Sequence, residues 1–318
     1  SLPIFHAFGL TVTMFLPLLQ RIPIVTQPDP TNALEVGKLV ARHKISIMFG
    51  TSTFLRLYIK QKKCLPVMFK SLRMVVAGAE KLQEQVRVQF KEKFGLDIYE
   101  GYGATETTPV ASVNIPDTLN TAIWLTQEGS KPGTVGLPVP GTMIKIVNPE
   151  NFEPLALGDS GMILISGIQI MKGYLKDQDK TKEAIYKYNG FNWYVTGDRG
   201  HLNDDGFLTI EGRFSRFAKI GGEMVSLTAV DEFILNEAKI PELDVFSASF
   251  PDEKKGEKII TLYSGDIEPD MLSSKIKQSD INPLWIPVSY HKVDEIPKLG
   301  TGKTDLKSAK VLLEEFTN

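Results

Sequence analysis

Cysteine is nearly absent: Cys64 is the one thiol in 318 residues. It cannot close an internal disulfide, which excludes a disulfide scaffold and points to a reducing compartment. Nothing near Cys64 suggests a nucleophile, so it reads as a buried structural thiol. An excess of one charge is also missing. Thirty-six Lys+Arg stand against 38 Asp+Glu, a net charge of −2, which leaves no overall footprint for nucleic acid. No initiator Met and no basic segment precede the apolar start, so the first residues do not read as a signal peptide, and the expectation is a fragment. Long apolar runs are lacking too. The most membrane-like stretch, Ala7 to Leu19, contains Pro17 and stops at Gln20-Arg21, short of the ~20 residues that a spanning helix needs. It reads as a buried helix. Repeats and low-complexity tracts are absent.

What remains is a globular composition, 42% hydrophobic and 23% charged, in a chain long enough for two domains. Positions 33 to 110 alternate helix and strand signals. Ala33 to His43 is amphipathic, Ile45 to Phe49 is strand-like, and Met74 to Ala77 is a short apolar run ending at Gly78. Gln83 to Phe94 reads as a helix stopped by Gly95. This is the rhythm of a sheet covered by helices. After about residue 130, glycine and proline become dense between short strands such as Met143 to Val147 and Gly161 to Ile165, as in a small β-barrel or bent sheet. Beyond Arg213 mixed helix and strand return, ending in a helix from Leu306 to Phe316. Residues 1–215 carry 23 basic and 20 acidic side chains, and 216–318 carry 13 and 18, which favours weak docking of two mobile domains.

Four segments carry candidate chemistry. In Gly101-Tyr102-Gly103-Ala104-Thr105-Glu106-Thr107-Thr108, exposed amides and hydroxyls suit phosphate oxygens. The adjoining carboxylate suits Mg²⁺, and Tyr102 suits a stacked base. A plain glycine turn with a capping Thr reads equally well from these residues alone. Asp198, closing Trp193-Tyr194-Val195-Thr196-Gly197-Asp198, is an aspartate at a strand end that could accept two hydroxyl protons of a ribose; an Asp bonding its own turn is the plainer alternative. Arg213, Arg216 and Lys219 are three cations at three-residue spacing that could line one ribbon, with a solvated basic face as the plainer alternative; Gly221-Gly222 follows. Pro297-Lys298-Leu299-Gly300-Thr301-Gly302-Lys303 is a flexible arm carrying a point charge, without P-loop spacing.

In order and spacing these segments resemble the adenylate-forming superfamily of acyl-CoA synthetases, peptide-synthetase adenylation domains and firefly luciferase. YGATE (102–106), WYVTGD (193–198), GRFSRFAKIGGE (212–223) and PKLGTGK (297–303) carry the likeness. LPIFHAFG (2–9), GTVGLPVPG (133–141) and MKGYLKDQDKT (171–181) support it. VVAGAEKL, EGYGATETTPVASVNIPD and SRFAKIGGEMVSL resemble more narrowly the ligase half of the bacterial bifunctional acyl-[acyl-carrier-protein] synthetase/2-acylglycerophosphoethanolamine acyltransferases. Ala229 stands where most relatives have Glu, as in that subgroup.

The resemblance implies an α/β fold. Residues 1–213 would be part of the large AMP-binding domain, an αβ subdomain plus a small β-barrel, with its phosphate loop upstream. Residues 214–318 would be a small, mobile α+β domain. It implies ATP as substrate with Mg²⁺, a carboxylate activated as acyl-AMP, and transfer to a thiol. Gly78, Ala79 and Glu80 would lie along the adenine, with Tyr102 and Gly103. Thr105 would bond the α-phosphate and Glu106 would hold the metal. Asp198 and Arg213 would take the ribose, and Lys303 would bridge carboxylate and phosphate. His6 would gate the acyl carboxylate; a core histidine beside Phe5 and Phe8 is the alternative. Ser215 takes the hinge position. Lys219, Gly221, Gly222 and Glu223 form the thiolation loop. The implied partners are a fatty acid, acyl-carrier protein or CoA, and a lysophospholipid in the full protein, which would sit at the cytoplasmic side of an inner membrane. Peripheral membrane contact is left open. The competing expectations are a ligase that uses free CoA and a non-catalytic nucleotide-binding module.

Overall fold

The computed structural model describes residues 2–299 and 304–317. The chain divides into two compact units, Ser1–Ile210 and Glu211–Asn318.

In the first unit, β1 (Ile47–Gly50), β2 (Met74–Ala77) and β3 (Ile98–Tyr102) pair in parallel. The antiparallel strands β4 (Ser112–Val113) and, further along the chain, β7 (Leu137–Pro138) extend the sheet in the order β1-β2-β3-β4-β7. Three helices cover it: α1 (Ala33–His43), α2 (Ser52–Lys60) and α3 (Glu84–Phe94). Their apolar faces, with Val36, Val40, Leu55, Tyr58, Phe90 and Phe94, close on Val75 and Ile98 in one core. α3 stops where the sequence requires: Gly95 adopts φ 69° and its N–H bonds the Lys91 carbonyl, a left-handed cap that glycine takes without strain. Cys64 is buried, and its Sγ donates to the Ala33 carbonyl at 3.2 Å.

The segment expected as a buried helix differs. Ala7–Gly9 and Leu16–Leu19 are α-helical, with a π-helical turn from Leu10 to Phe15 between them. Phe8 and Val12 are buried against Val76, but Phe15, Leu16, Leu18 and Leu19 are exposed. Only one face finds a partner, so apolar composition alone overstates its burial.

Between β4 and β7, a hairpin of β5 (Thr118–Asn120) and β6 (Leu125–Gln127) projects with every residue exposed. The glycine-rich region beyond it forms a second sheet. β8 (Thr142–Val147), β9 (Gly161–Gly167), β10 (Ile185–Tyr188) and β11 (Phe191–Leu202) run in the order β10-β11-β9-β8. β12 (Leu208–Arg213) adds to β11 and crosses from the first unit into the second. The end strands do not pair with one another, so the expected barrel is a half-barrel. A short helix, α4 (Gln178–Ala184), precedes β10.

In the second unit, β13 (Phe217–Ile220), β14 (Glu223–Ser226), β15 (Asp244–Asp252), β16 (Gly256–Ser264) and β17 (Ser289–Lys292) form one sheet. Strand alternation buries both faces. Val245, Ile259 and Tyr263 pack under α5 (Leu227–Ala238) and α6 (Pro269–Lys277). Phe246, Ala248, Ile260 and Leu262 pack under α7 (Leu306–Glu315).

Candidate active site

In open parallel sheets ligands bind beyond the carboxyl ends of the strands, and Gly78 to Glu80 and Gly103 to Glu106 leave β2 and β3 there. Gly78 is buried, and a Cβ on it would lie 3.1 Å from the Phe8 ring. Ala79 adopts φ 72°, a left-handed conformation that costs a non-glycine residue energy and marks a constrained turn. The Glu80 carboxylate accepts from the Thr53 N–H at 2.5 Å and the Thr53 hydroxyl at 3.2 Å. It is thereby committed to the first turn of α2, so this turn offers a nucleotide mainly its backbone.

The turn after β3 sorts its threonines by role. Thr107 is fully buried; its one hydroxyl proton is shared between the Pro109 and Ala104 carbonyls, and its oxygen accepts from the Ala104 N–H. The Thr108 hydroxyl donates to the Gln169 carbonyl at 2.7 Å. The exposed Thr105 hydroxyl carries no hydrogen bond among the described residues, so it is the one left to meet a ligand. Gly103 is required sterically: a Cβ there would lie 1.7 Å from the Pro109 carbonyl oxygen. Glu106 is half-buried. One carboxylate oxygen accepts from the Tyr174 hydroxyl at 2.7 Å, and its carbonyl accepts from the Met171 N–H at 2.9 Å. Burial, reinforced by the bond to Glu106, pushes the Tyr174 phenol up to about 12, so it donates throughout the neutral range.

Asp198 comes from the other sheet of the same unit. The register of β11 against β9 shifts between Val195 and Arg199, and Gly197 adopts φ 73°. Asp198 therefore sits in a β-bulge inside a twelve-residue strand, not at the strand end that the sequence suggested. The Gly197 conformation allows the chain to continue as strand, and the bulge re-aims the side chain. The Thr196 hydroxyl donates to the Ile163 carbonyl and accepts from the Asp198 N–H, which fixes the bulge. Asp198 is buried, and the Tyr102 hydroxyl donates to its carboxylate. Burial, followed by the Asp198 charge, holds the Tyr102 phenol far above its ordinary range.

His6 is half-exposed, and its Nδ1 accepts from the Phe8 N–H at 3.2 Å. It lies between the exposed Phe5 and the buried Phe8. Among the described residues no cluster of three His, Cys, Asp or Glu could hold a metal alone. A lone Glu106 with one oxygen unbonded still fits Mg²⁺, which keeps its waters and binds through one or two carboxylates plus substrate phosphates.

Arg213 and Ser215 are exposed at the end of β12 and the turn after it. Gly221 (φ 60°) and Gly222 (φ 92°) form the two-residue turn of the β13–β14 hairpin, with Ile220 paired to Glu223, the geometry that favours glycine at both positions. Lys219 and Glu223 flank it, exposed. The expected ribbon of three cations does not exist. Arg216 is buried; its guanidinium donates to the Asp231 carboxylate and the Ser247 carbonyl and lies 4.7 Å from the Phe246 ring. Burial pushes the Asp231 carboxyl up, and Arg216 pulls against it. Period-three spacing could not reveal this, because the partners lie on α5 and β15. Lys303 lies outside the described residues.

The sequence matches the AMP-binding enzyme family over residues 1–175. The chain belongs to this family. It is 28% identical to a long-chain-fatty-acid–CoA ligase of Bacillus subtilis, across 99% of this chain and 54% of that protein. It is equally identical to a 4-hydroxybenzoate–CoA/benzoate–CoA ligase of Rhodopseudomonas palustris, across 99% and 56%. The chain thus spans about half the length of these relatives. Its fold is that of ATP-bound MatB from R. palustris, with TM-score 0.83 and 22% identity over the whole chain and 60% of MatB. Tyr174 and Thr53 are the site residues that sequence reasoning missed. Tyr174 lies within MKGYLKDQDKT, a segment noted for its likeness but given no chemistry.

Proposed function

We propose that this chain supplies part of the site of an ATP-dependent acid–thiol ligase that activates a fatty acid as acyl-AMP and passes it to CoA. The observation that carries this reading is the meeting of Tyr102 with Asp198, one turn from Thr105 and Glu106. A base-sized ring, a diol-accepting carboxylate, a bare hydroxyl and a metal-suited carboxylate then follow the order of a nucleotide from base to phosphate. Support for CoA and for a fatty acid comes from the ligases to which the chain is similar.

In the first half-reaction a carboxylate oxygen of the fatty acid attacks the α-phosphorus of ATP and pyrophosphate leaves. In the second, a thiolate attacks the acyl carbonyl, a thioester forms and AMP leaves. Bound Mg²⁺ would neutralise phosphate charge. Among this chain's residues, Glu106 would hold it and Thr105 would donate to the α-phosphate. Asp198 would orient the ribose through its hydroxyls; by the family resemblance Arg213 would serve the ribose as well, and Lys303 would meet the developing charge between carboxylate and phosphate. The test is fatty-acid-dependent ATP–pyrophosphate exchange by the protein at its natural length, then thioester formation with CoA. Residues 1–318 alone are expected to give no exchange, because the phosphate loop of the family lies outside them. Robust exchange by the 318-residue chain would overturn the expectation that the phosphate loop is needed, and no exchange with any fatty acid by this chain joined to the upstream part that its relatives carry would overturn the reading.

A second reading keeps the adenylation but uses the phosphopantetheine of an acyl-carrier protein, feeding a lysophospholipid at the cytoplasmic side of a membrane. Beyond the subgroup resemblance, one observation favours it. Lys254 and Lys255 are exposed beside the Gly221-Gly222 turn, whose Gly221 N–H bonds the Lys255 carbonyl at 2.9 Å. Basic side chains there suit an acidic carrier. Changing both lysines to Glu should slow transfer to carrier protein at least about tenfold at low salt and leave transfer to CoA within about twofold. Equal effects on both acceptors would remove this support. No helix among the described residues is long and apolar enough to cross a membrane.

A further inference from the structure

The Glu106 carboxylate is held from outside its own turn. The Ile168 to Asp177 loop is clipped to that turn by three bonds. The Met171 N–H donates to the Glu106 carbonyl at 2.9 Å, the Thr108 hydroxyl donates to the Gln169 carbonyl at 2.7 Å, and the Tyr174 hydroxyl donates to the Glu106 carboxylate at 2.7 Å. Tyr174 is itself fixed. Its N–H donates to the Thr181 hydroxyl at 2.9 Å, which in turn donates to the Asp177 carbonyl at 2.7 Å. The Lys180 ammonium lies 4.4 Å from the centre of its ring. Gly173 permits this geometry: at φ 150° a Cβ would meet the Thr181 side chain at 2.6 Å. The phenol thus reaches Glu106 from a supported position and adds no negative charge. It occupies one carboxylate oxygen and leaves the other without a hydrogen bond among the described residues.

We propose that Tyr174 is a positioning residue for Glu106: it locks the carboxylate rotamer so that the unbonded oxygen faces the cation accompanying ATP. This rests on the reading of Glu106 as the metal-contacting carboxylate. The physical reason is that an unconstrained Glu samples several rotamers, and a donor fixed to one oxygen removes that freedom before the metal arrives.

The test uses the protein at its natural length. Tyr174→Phe removes one oxygen and keeps the ring under Lys180. It should raise the Mg²⁺ concentration for half-maximal pyrophosphate exchange about tenfold and leave kcat at saturating Mg²⁺ within about twofold. A readout independent of turnover is the binding of Mn²⁺ in the presence of ATP, followed by electron paramagnetic resonance; it should weaken by a similar factor. AMP binding without metal, followed by calorimetry, should not change. Thr108→Val cuts a neighbouring clip of the same loop without touching the carboxylate, and should leave the metal dependence unaltered. In a Glu106→Gln background, Tyr174→Phe should add nothing. The outcomes separate the two ideas. If Glu106→Gln leaves the Mn²⁺ and Mg²⁺ dependence unchanged, the Glu106 reading fails. If Glu106→Gln alters it and Tyr174→Phe does not, or if Thr108→Val matches Tyr174→Phe, the positioning role of Tyr174 is wrong while Glu106 stands. Should Tyr174→Phe also lower the melting temperature, the non-additivity with Glu106→Gln still decides, because a general loss of packing would persist in that background.

Discussion

Glu100 lies on β3 two residues before Tyr102, and burial pushes its carboxyl up to about 7, against the pull of Arg87 and a bond from the Leu82 N–H. An unfolded chain ionises this group near its ordinary 4.5. Between those values the native state holds a proton that the unfolded state has released, so stability falls as pH rises from about 4.5 to about 7. Glu100→Gln removes the loss. Its melting temperature should exceed that of the parent at pH 8, by a stability gain of no more than about 3 kcal/mol, and approach the parent at pH 5. Equal differences at both pH values would show that the gain is packing, not charge. Asp198 offers a second residue-scale test. Asp198→Asn keeps an acceptor for the Tyr102 hydroxyl and loses the negative charge. AMP binding should weaken about tenfold, measured by calorimetry at the natural chain length, with little change in melting temperature. Unchanged AMP affinity would remove Asp198 from the proposed ribose contacts.

At the scale of elements, legibility follows the range of the forces involved. α1 spans the residues read as an amphipathic helix, β2 those read as a buried strand, and Gly95 ends α3 as expected. In each case the signal is periodicity or a cap, both encoded within a few residues. The bulge at Asp198, the burial of Arg216 and the hold of Tyr174 on Glu106 were not legible. Their partners lie 15 to 68 residues away, and no local pattern encodes them. The Gly221-Gly222 hairpin lies between these cases: the dipeptide announces close approach or bending, but only the pairing of Ile220 with Glu223 makes it a two-residue turn. A Cβ at Gly222 would meet nothing within 4 Å, so the first effect of Gly222→Val is strain at the φ of 92°. In the proposed thioester step this turn faces the pantetheine arm. Gly222→Val should therefore slow thioester formation from supplied acyl-AMP at least about tenfold and spare pyrophosphate exchange, since strain of about 1–3 kcal/mol is local to the turn. Equal slowing of both steps would place the defect in the fold of the second unit.

At the scale of the molecule, the proposed reaction asks one chain to present two loops, Lys219 to Glu223 and the PKLGTGK arm, at different stages. The Lys219 to Glu223 hairpin belongs to the second unit, and so does the PKLGTGK arm, whose Lys303 rests on sequence resemblance because it falls outside the described residues. If the second unit turns about Ser215 between half-reactions, Lys303 meets the α-phosphate only during adenylation, and the glycine turn meets the thiol only afterwards. Lys303→Ala should then slow acyl-AMP formation about 10²-fold, the usual effect of losing one preorganised donor to developing charge, ~3 kcal/mol. It should leave thioester formation from chemically made acyl-AMP unchanged, because in that pose the lysine would face solvent, where a lost charge costs little. The Gly222 variant should show the reverse pattern, and the pair of opposite defects is a stronger result than either alone. A general loss of stability would slow both steps in both variants, and a melting curve for each identifies that case. If both variants melt like the parent and each still slows the two half-reactions alike, one fixed arrangement of the units serves the whole reaction, and the turn about Ser215 has no part in it.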